Sequence, residues 1–185
     1  MRYHLAEGKI SYTGEQLRSN FAYDQFGVIG DSIVAFCGPC DVKAESMVDM
    51  EDLKAGSVIY SESMLHFIVE HHDIDLEKNV LRQILLAVIV KDALNDHLRK
   101  AAIQRSHTDL YDGEAKLSVS VATLSPVSSL IHFGINISSK NTPVQTRGLD
   151  DYKVDPLEFA ESIMKKYVRD SDDTYRARCK VKWVR

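Results

Sequence analysis

Apolar and polar residues alternate along several stretches of this chain, and the period switches between that of a strand and that of a helix. In one stretch Lys116, Ser118, Ser120 and Ala122 interleave with Leu117, Val119 and Val121. A two-residue period is a strand signal, because successive side chains point to opposite faces. A second stretch follows the same rule, with Ile131, Phe133, Ile135 and Ile137 on one side and His132, Gly134 and Asn136 on the other. The pattern predicts two strands that bury their apolar sides and turn small and polar groups outward together. That makes a shallow floor with Lys116 at its lip, where a ligand can approach the backbone at Gly134. An ordinary hairpin with one solvated face produces the same alternation.

Other stretches extend the picture. Residues 9–12, with a turn near Thr13-Gly14, suggest an opening strand. Asp31-Ser32 leads into an apolar strand from Ile33 to Phe36, ended by Gly38-Pro39. Val58 to Glu70 is β-prone, with Leu65, Phe67 and Val69 inward and His66, Ile68 and Glu70 on the reverse. Asp75 is placed to cap a helix reaching about Leu98, with Val80, Leu81, Ile84, Leu85, Val88 and Leu94 as its apolar stripe. Asp155-Pro156-Leu157-Glu158 signals a second helix start, after which Phe159, Ile163 and Tyr167 share a face. A last strand is predicted over Arg178 to Val184, with Cys179, Val181 and Trp183 on one side. Strands outnumber helices, so the expected class is α+β: a mixed or antiparallel sheet with helices packed on it. With no internal repeat, low-complexity tract or linker, residues 1–185 are expected to form a single domain.

Composition narrows the function classes. A hydrophobic fraction of 44%, a charged fraction of 27%, a net charge of −4 and a pI near 6.0 describe a soluble globular protein rather than a general nucleic-acid binder. The basic stretch Arg176 to Arg185 reads as a solvated edge strand. The longest apolar run, Ile84 to Val90, is too short to cross a bilayer, and the N-terminus lacks an apolar signal core. Three cysteines, an odd count, fit a reducing cytoplasm. The partner expected is therefore a small molecule, not a nucleic acid or a membrane. A homodimer through an exposed sheet edge is a further option.

The stretch Gly113-Glu-Ala-Lys116-Leu117-Ser118, followed by a strand ending His132-Phe-Gly134-Ile-Asn136, resembles the catalytic core of biotin and lipoate protein ligases and octanoyltransferases. The order of elements upstream resembles it too, and the chain as a whole is similar to a small prokaryotic family of unknown function. The resemblance implies a biotin/lipoate ligase-like, class II synthetase-like core. It implies that Lys116 grips an acyl carboxylate or adenylate, with His132 as the other catalytic candidate. Ser61, Glu62, Asp109, Ser118, Gly134 and Asn136 are the candidate substrate-binding residues. The implied activity is that of a ligase or acyltransferase; ATP with magnesium is the cofactor it suggests, and the cofactor otherwise stays open.

Two departures from that family matter. Its phosphate-holding stretch is rich in Gly and Arg, whereas here Met47 to Gly56 carries three carboxylates and one lysine. Carboxylates without a bridging cation repel phosphate. The loop from Asn141 to Thr146 offers no thiol where octanoyltransferases need a Cys nucleophile.

Two other motifs carry chemistry of their own. Cys37-Gly38-Pro39-Cys40 is spelled like a thiol-disulfide redox site, and redox exchange through Cys37 and Cys40 is the alternative function. As a turn with two incidental thiols it needs no function. His66, Glu70, His71, His72 and Asp73 collect metal-capable side chains, but their spacing matches no known metal signature, so no metal site is assigned. A non-catalytic binding or dimerisation domain is the third reading.

Overall fold

The computed structural model describes residues 1–184. Its frame is a five-stranded sheet built from β1 (Arg2–Lys9), β2 (Ser32–Val42), β3 (Ile59–His71), β7 (Ser118–Leu124) and β8 (Ser129–Asn136). The strands lie in the order β1-β2-β3-β8-β7. The pair β1/β2 is parallel and the other neighbours are antiparallel. Three short strands, β4 (Ile103–Ser106), β5 (Asp109–Asp112) and β6 (Ala115–Lys116), make a second small sheet. The expected α+β architecture with a mixed sheet is borne out.

Two long helices cover one face of the large sheet. Helix α3 (Leu76–Leu98) begins at Asp75, whose carboxylate accepts from the Lys78 amide at 3.0 Å. Helix α4 (Pro156–Cys179) begins at Asp155, which accepts from the Leu157 and Glu158 amides, with Pro156 in the first turn. Under them lies the larger core, including Phe67, Phe133, Leu86, Leu94, Ile163 and Tyr167. The buried face of α3 is not the predicted stripe: Leu81 is exposed, whereas Asn79, Gln83, Leu86, Ala87, Val90 and Leu94 are buried. The polar members hold that face inward. Asn79 donates to the Leu130 carbonyl at 2.9 Å, and Gln83 donates to Ser120 at 2.8 Å.

The opposite face is also buried. The short helix α1 (Phe21–Phe26) and the segment before it cover Val34, Phe36, Cys40, Met64 and Ile68. Residues His66, Ile68 and Glu70, read as the reverse side of β3, are therefore 0–3% exposed. A further short helix, α2 (Met50–Ala55), stands at the edge of this side.

Three predicted boundaries need correction. The opening strand is Arg2–Lys9; of residues 9–12 only Lys9 belongs to it, and Tyr12 forms a bridge to Cys40. Strand β2 does not end at Gly38-Pro39 but runs through to Val42. Residues 10–12 pair along its edge: the Ile10 amide donates to the Cys37 carbonyl and the Tyr12 amide to that of Pro39. Pro39 has no N–H to lose, and a register shift between Gly38 and Cys40 absorbs it. The predicted last strand is absent, because α4 continues to Cys179 and residues 180–184 are irregular. Val181 and Trp183 are 72% and 94% exposed, so the alternation there has no partner strand to bury it. Arg185, included in that prediction's basic stretch, lies outside the described residues.

Gly38 tests how tightly the 10–12 segment is seated. A methyl group there would overlap the Ile10 carbonyl, which is backbone of a residue whose amide is held by the Cys37 carbonyl. Gly38→Ala is expected to lower stability by about 1–3 kcal/mol, as overpacking does. An unchanged urea midpoint would contradict this seating.

Candidate functional site

Strands β7 and β8, the loop before α2 and strands β5 and β6 meet around a cleft of about 230 Å³. Its volume falls just below the roughly 300–1,000 Å³ typical of small-molecule sites. Lys116, Asp109 and His132 all line it. So do Tyr12, Asp49 and Asp52, none of which was a candidate ligand residue.

Lys116 reaches this position because the strand breaks beside it. It belongs to β6, pairs with Tyr111 and donates its amide to the Gln145 carbonyl at 3.0 Å. Leu117 is buried between β6 and β7, and the alternation restarts at Ser118. The Lys116 ammonium lies 2.6 Å from Asp109 Oδ2, and the two side chains are 31% and 21% exposed. Burial acts against the charge on Lys116, but the Asp109 carboxylate, with Tyr111 and Asp52, outweighs it and raises its pKa. Burial likewise raises the pKa of Asp109, with Lys116 offsetting part of the effect. Asp109 Oδ1 is buried and has no hydrogen-bond partner.

His132 faces the same cleft from β8 and is 4% exposed. The Tyr12 ring stacks on it with centroids 3.7 Å apart. Behind it, His132 Nε2 lies 3.1 Å from His66 Nδ1, and His66 Nε2 lies 3.3 Å from the Gly38 carbonyl. A carbonyl only accepts, so His66 Nε2 carries the proton and His66 Nδ1 is an acceptor. His132 must then donate through Nε2, which leaves its Nδ1 as a bare acceptor. Burial holds both rings neutral: it lowers the His66 pKa to about 3 and depresses that of His132 as well. Gly134 makes this possible, since a side chain there would run into Met64 and His132.

The predicted site residues separate into two groups. Lys116, Asp109 and His132 come together. Gly134 lies beneath His132 as a spacer rather than an open floor. Ser118, with Ser120 and Ala122, does not share the face of His132, because the register sets Ser118 opposite Ile135 and Val121 opposite His132. The Ser118 hydroxyl instead accepts from the Leu110 amide on the buried helix side. Val119 and Val121 line the cleft from β7, and Ser120 between them also reaches its lining. Ser61 is fully buried and donates to the Ser63 carbonyl, while Glu62 accepts from Asn141 at 2.6 Å; neither lines the cleft. Asn136 is buried at the end of β8 opposite Met64, also outside it.

The other motifs resolve separately. Cys37 packs against the helix-side core and Cys40 lies in the core on the other side of the sheet. Two thiols on opposite faces cannot close a disulfide without moving the backbone. Burial pushes the Cys40 thiol up to about 12 and raises that of Cys37, the reverse of an activated pair. Glu70 accepts from the Asn20 amide and the Ser128 hydroxyl, fastening two loops to the sheet. His71 bridges Asp31 and Tyr167, which ties β3 to α4.

A family model described as "Domain of unknown function (DUF366)" matches residues 1–182. An uncharacterized protein of Methanocaldococcus jannaschii is 35% identical over 179 residues, covering 93% of this chain and 80% of its own. A solved structure of a protein of unknown function from Pyrococcus horikoshi has a TM-score of 0.93 at 36% identity, covering 100% of this chain and 99% of its own. Biotin protein ligase from Aquifex aeolicus, in complex with biotin and ATP, has a TM-score of 0.60 at 15% identity, covering 90% and 69% of the respective chains. At that identity the likeness is one of fold, and the expected biotin/lipoate ligase-like core is borne out. No described helix is long and apolar enough to cross a membrane.

Two measurements check this geometry. The unfolded state binds a proton at His66 near its ordinary value of 6.5, and the folded state does so only near 3. Stability should therefore fall as pH drops through that window, because the unfolded chain takes up protons first. A His66→Gln protein is expected to show a shallower dependence of urea midpoint on pH across the upper part of that window; an equal slope would refute the neutral, buried His66. Mild oxidation followed by peptide mass mapping is expected to yield no Cys37–Cys40 link.

Proposed function

This chain belongs to that family of unknown function, and we propose that it binds a small carboxylate-bearing metabolite in the Lys116 cleft. The observation carrying the reading is the convergence of Lys116, Asp109 and His132 on one enclosed volume. Asp109 engages Lys116 at a single oxygen, and the ammonium has three protons to offer. A ligand carboxylate takes the others. Burial of the pair in a partly dehydrated wall strengthens that contact relative to one in bulk water.

The chemistry within reach is activation or transfer of the bound carboxyl group. Lys116 sits where it would stabilise negative charge developing on that group. His132 was the other catalytic candidate. Its depressed basicity suits it better to accept a hydrogen bond through Nδ1 and orient the ligand. Cofactor use by an ATP-type route faces Asp49, Glu51 and Asp52 in the cleft lining. Three carboxylates there oppose a triphosphate unless a cation such as magnesium accompanies it.

A thermal-shift screen with biotin, lipoate, short fatty acids and amino acids tests the reading, since preferential binding to the folded state raises its apparent stability. At least one carboxylate is expected to stabilise the parent protein. Lys116→Gln keeps a hydrogen bond for Asp109 but removes the charge, and should weaken that ligand about 10- to 100-fold, the range for a charge-assisted hydrogen bond. Equal binding by the parent and the K116Q variant would end the proposal.

A further inference from the structure

The cleft has more acceptors than donors. Asp109 adds a carboxylate to the lining, with Oδ2 held by Lys116. His132 is only 4% exposed on the cleft wall, and the proton chain through His66 to the Gly38 carbonyl leaves its Nδ1 without a donor. Ser120 lines the same space but spends its proton on the Thr108 carbonyl at 3.2 Å. At the mouth stand Asp49, Glu51 and Asp52. Among the described residues none of the three is in an ion pair. Asp49 is partly used, as its Oδ1 caps α2 through the Glu51 and Asp52 amides. Glu51 and Asp52 are not.

A ligand bearing only a carboxylate would satisfy Lys116 and leave every one of these acceptors unfilled. It would also bring a second negative charge into a wall that already carries four carboxylates against one ammonium. A group with several N–H donors and a positive charge answers both problems at once. We infer that the ligand is zwitterionic, an amino acid or ω-amino acid whose carboxylate rests on Lys116. Its ammonium or guanidinium is received by His132 Nδ1 and the Glu51–Asp52 lip. This inference rests on the reading of the cleft as a carboxylate site and adds the charge of the ligand's other end. It separates the chain from nucleotide recognition, because the same carboxylates that attract an ammonium repel a phosphate.

Calorimetric titration of the full chain with matched probes tests it. The probes are ω-amino acids of two to six carbons, the unsubstituted carboxylic acids of the same lengths, and the corresponding amines. At one chain length the amino acid is expected to bind at least tenfold tighter than both the acid and the amine. The double variant E51Q/D52N, changed at the cleft mouth rather than in the core, should lose most of that preference while binding the plain acid more tightly than the parent does, because two repelling charges are gone. An acid that binds as tightly as its amino acid would overturn the inference and leave the carboxylate site standing. Retention of the full preference in E51Q/D52N would also overturn it. Binding of no carboxylate-bearing probe by the parent would overturn both readings together.

Discussion

The arrangement depends on one constraint: the large sheet has no solvated face at its centre. Helices α3 and α4 close one side, and α1 with the 10–14 segment closes the other. Polar side chains on β3 and β8 therefore had to be satisfied internally, since an unpaired buried polar group costs about 1–3 kcal/mol. His66 and His132 solve this by sharing one hydrogen bond and ending the chain on the Gly38 carbonyl. That solution sets the tautomer of both rings. Tyr12 stacks on His132, and Gly134 leaves room for that ring, while Gly38 makes room for the Ile10 backbone. The candidate site follows from the packing, because His132, the end of the network, lines the cleft.

The same constraint explains what was legible in the sequence. The apolar sides of β3 and β8 were readable because Leu65, Phe67, Ile131 and Phe133 truly alternate with other residues. Both helix starts were readable too, since Asp75 and Asp155 act locally on the amides that follow them. Polarity failed wherever it was taken to mean exposure. Ser118 and Ser120 look like a solvated face, yet the Leu110 amide and Gln83 use their hydroxyls, and Ser118 is buried. Val119 and Val121, apolar in the sequence, line the cleft. The phase error begins at Leu117, where the chain passes from β6 to β7. No periodicity shows that break.

Lys116, Asp109 and His132 were found together because their spacing matches a recognisable scaffold, whereas Tyr12 carries no such signal. Its position depends on a backbone bridge to Cys40, a contact across 28 residues that local sequence does not encode. The Cys37-Gly38-Pro39-Cys40 spelling misled in the opposite direction. Proline and glycine normally announce a turn, but here the Gly leaves room for a crossing backbone and the Pro fills a strand irregularity. Their odd spacing of three residues, read with the two-residue strand period, then sends the two thiols to opposite sides of the sheet.

Sharing a fold with biotin protein ligase does not carry the ligase's electrostatics along with it. A backbone can keep a lysine at the end of one strand while the loop opposite changes sign. The loop before α2 and the first turn of that helix contribute Asp49, Glu51 and Asp52 to the lining, and the influence of Asp52 on both Lys116 and Asp109 places that carboxylate within electrostatic reach of the pair. Each added carboxylate strengthens the hold on Lys116 as an ammonium and weakens the case for a second anion nearby. The two effects are inseparable, since they arise from one field. The lysine therefore reports where a carboxyl group is held, and the loop reports what the rest of the ligand must be.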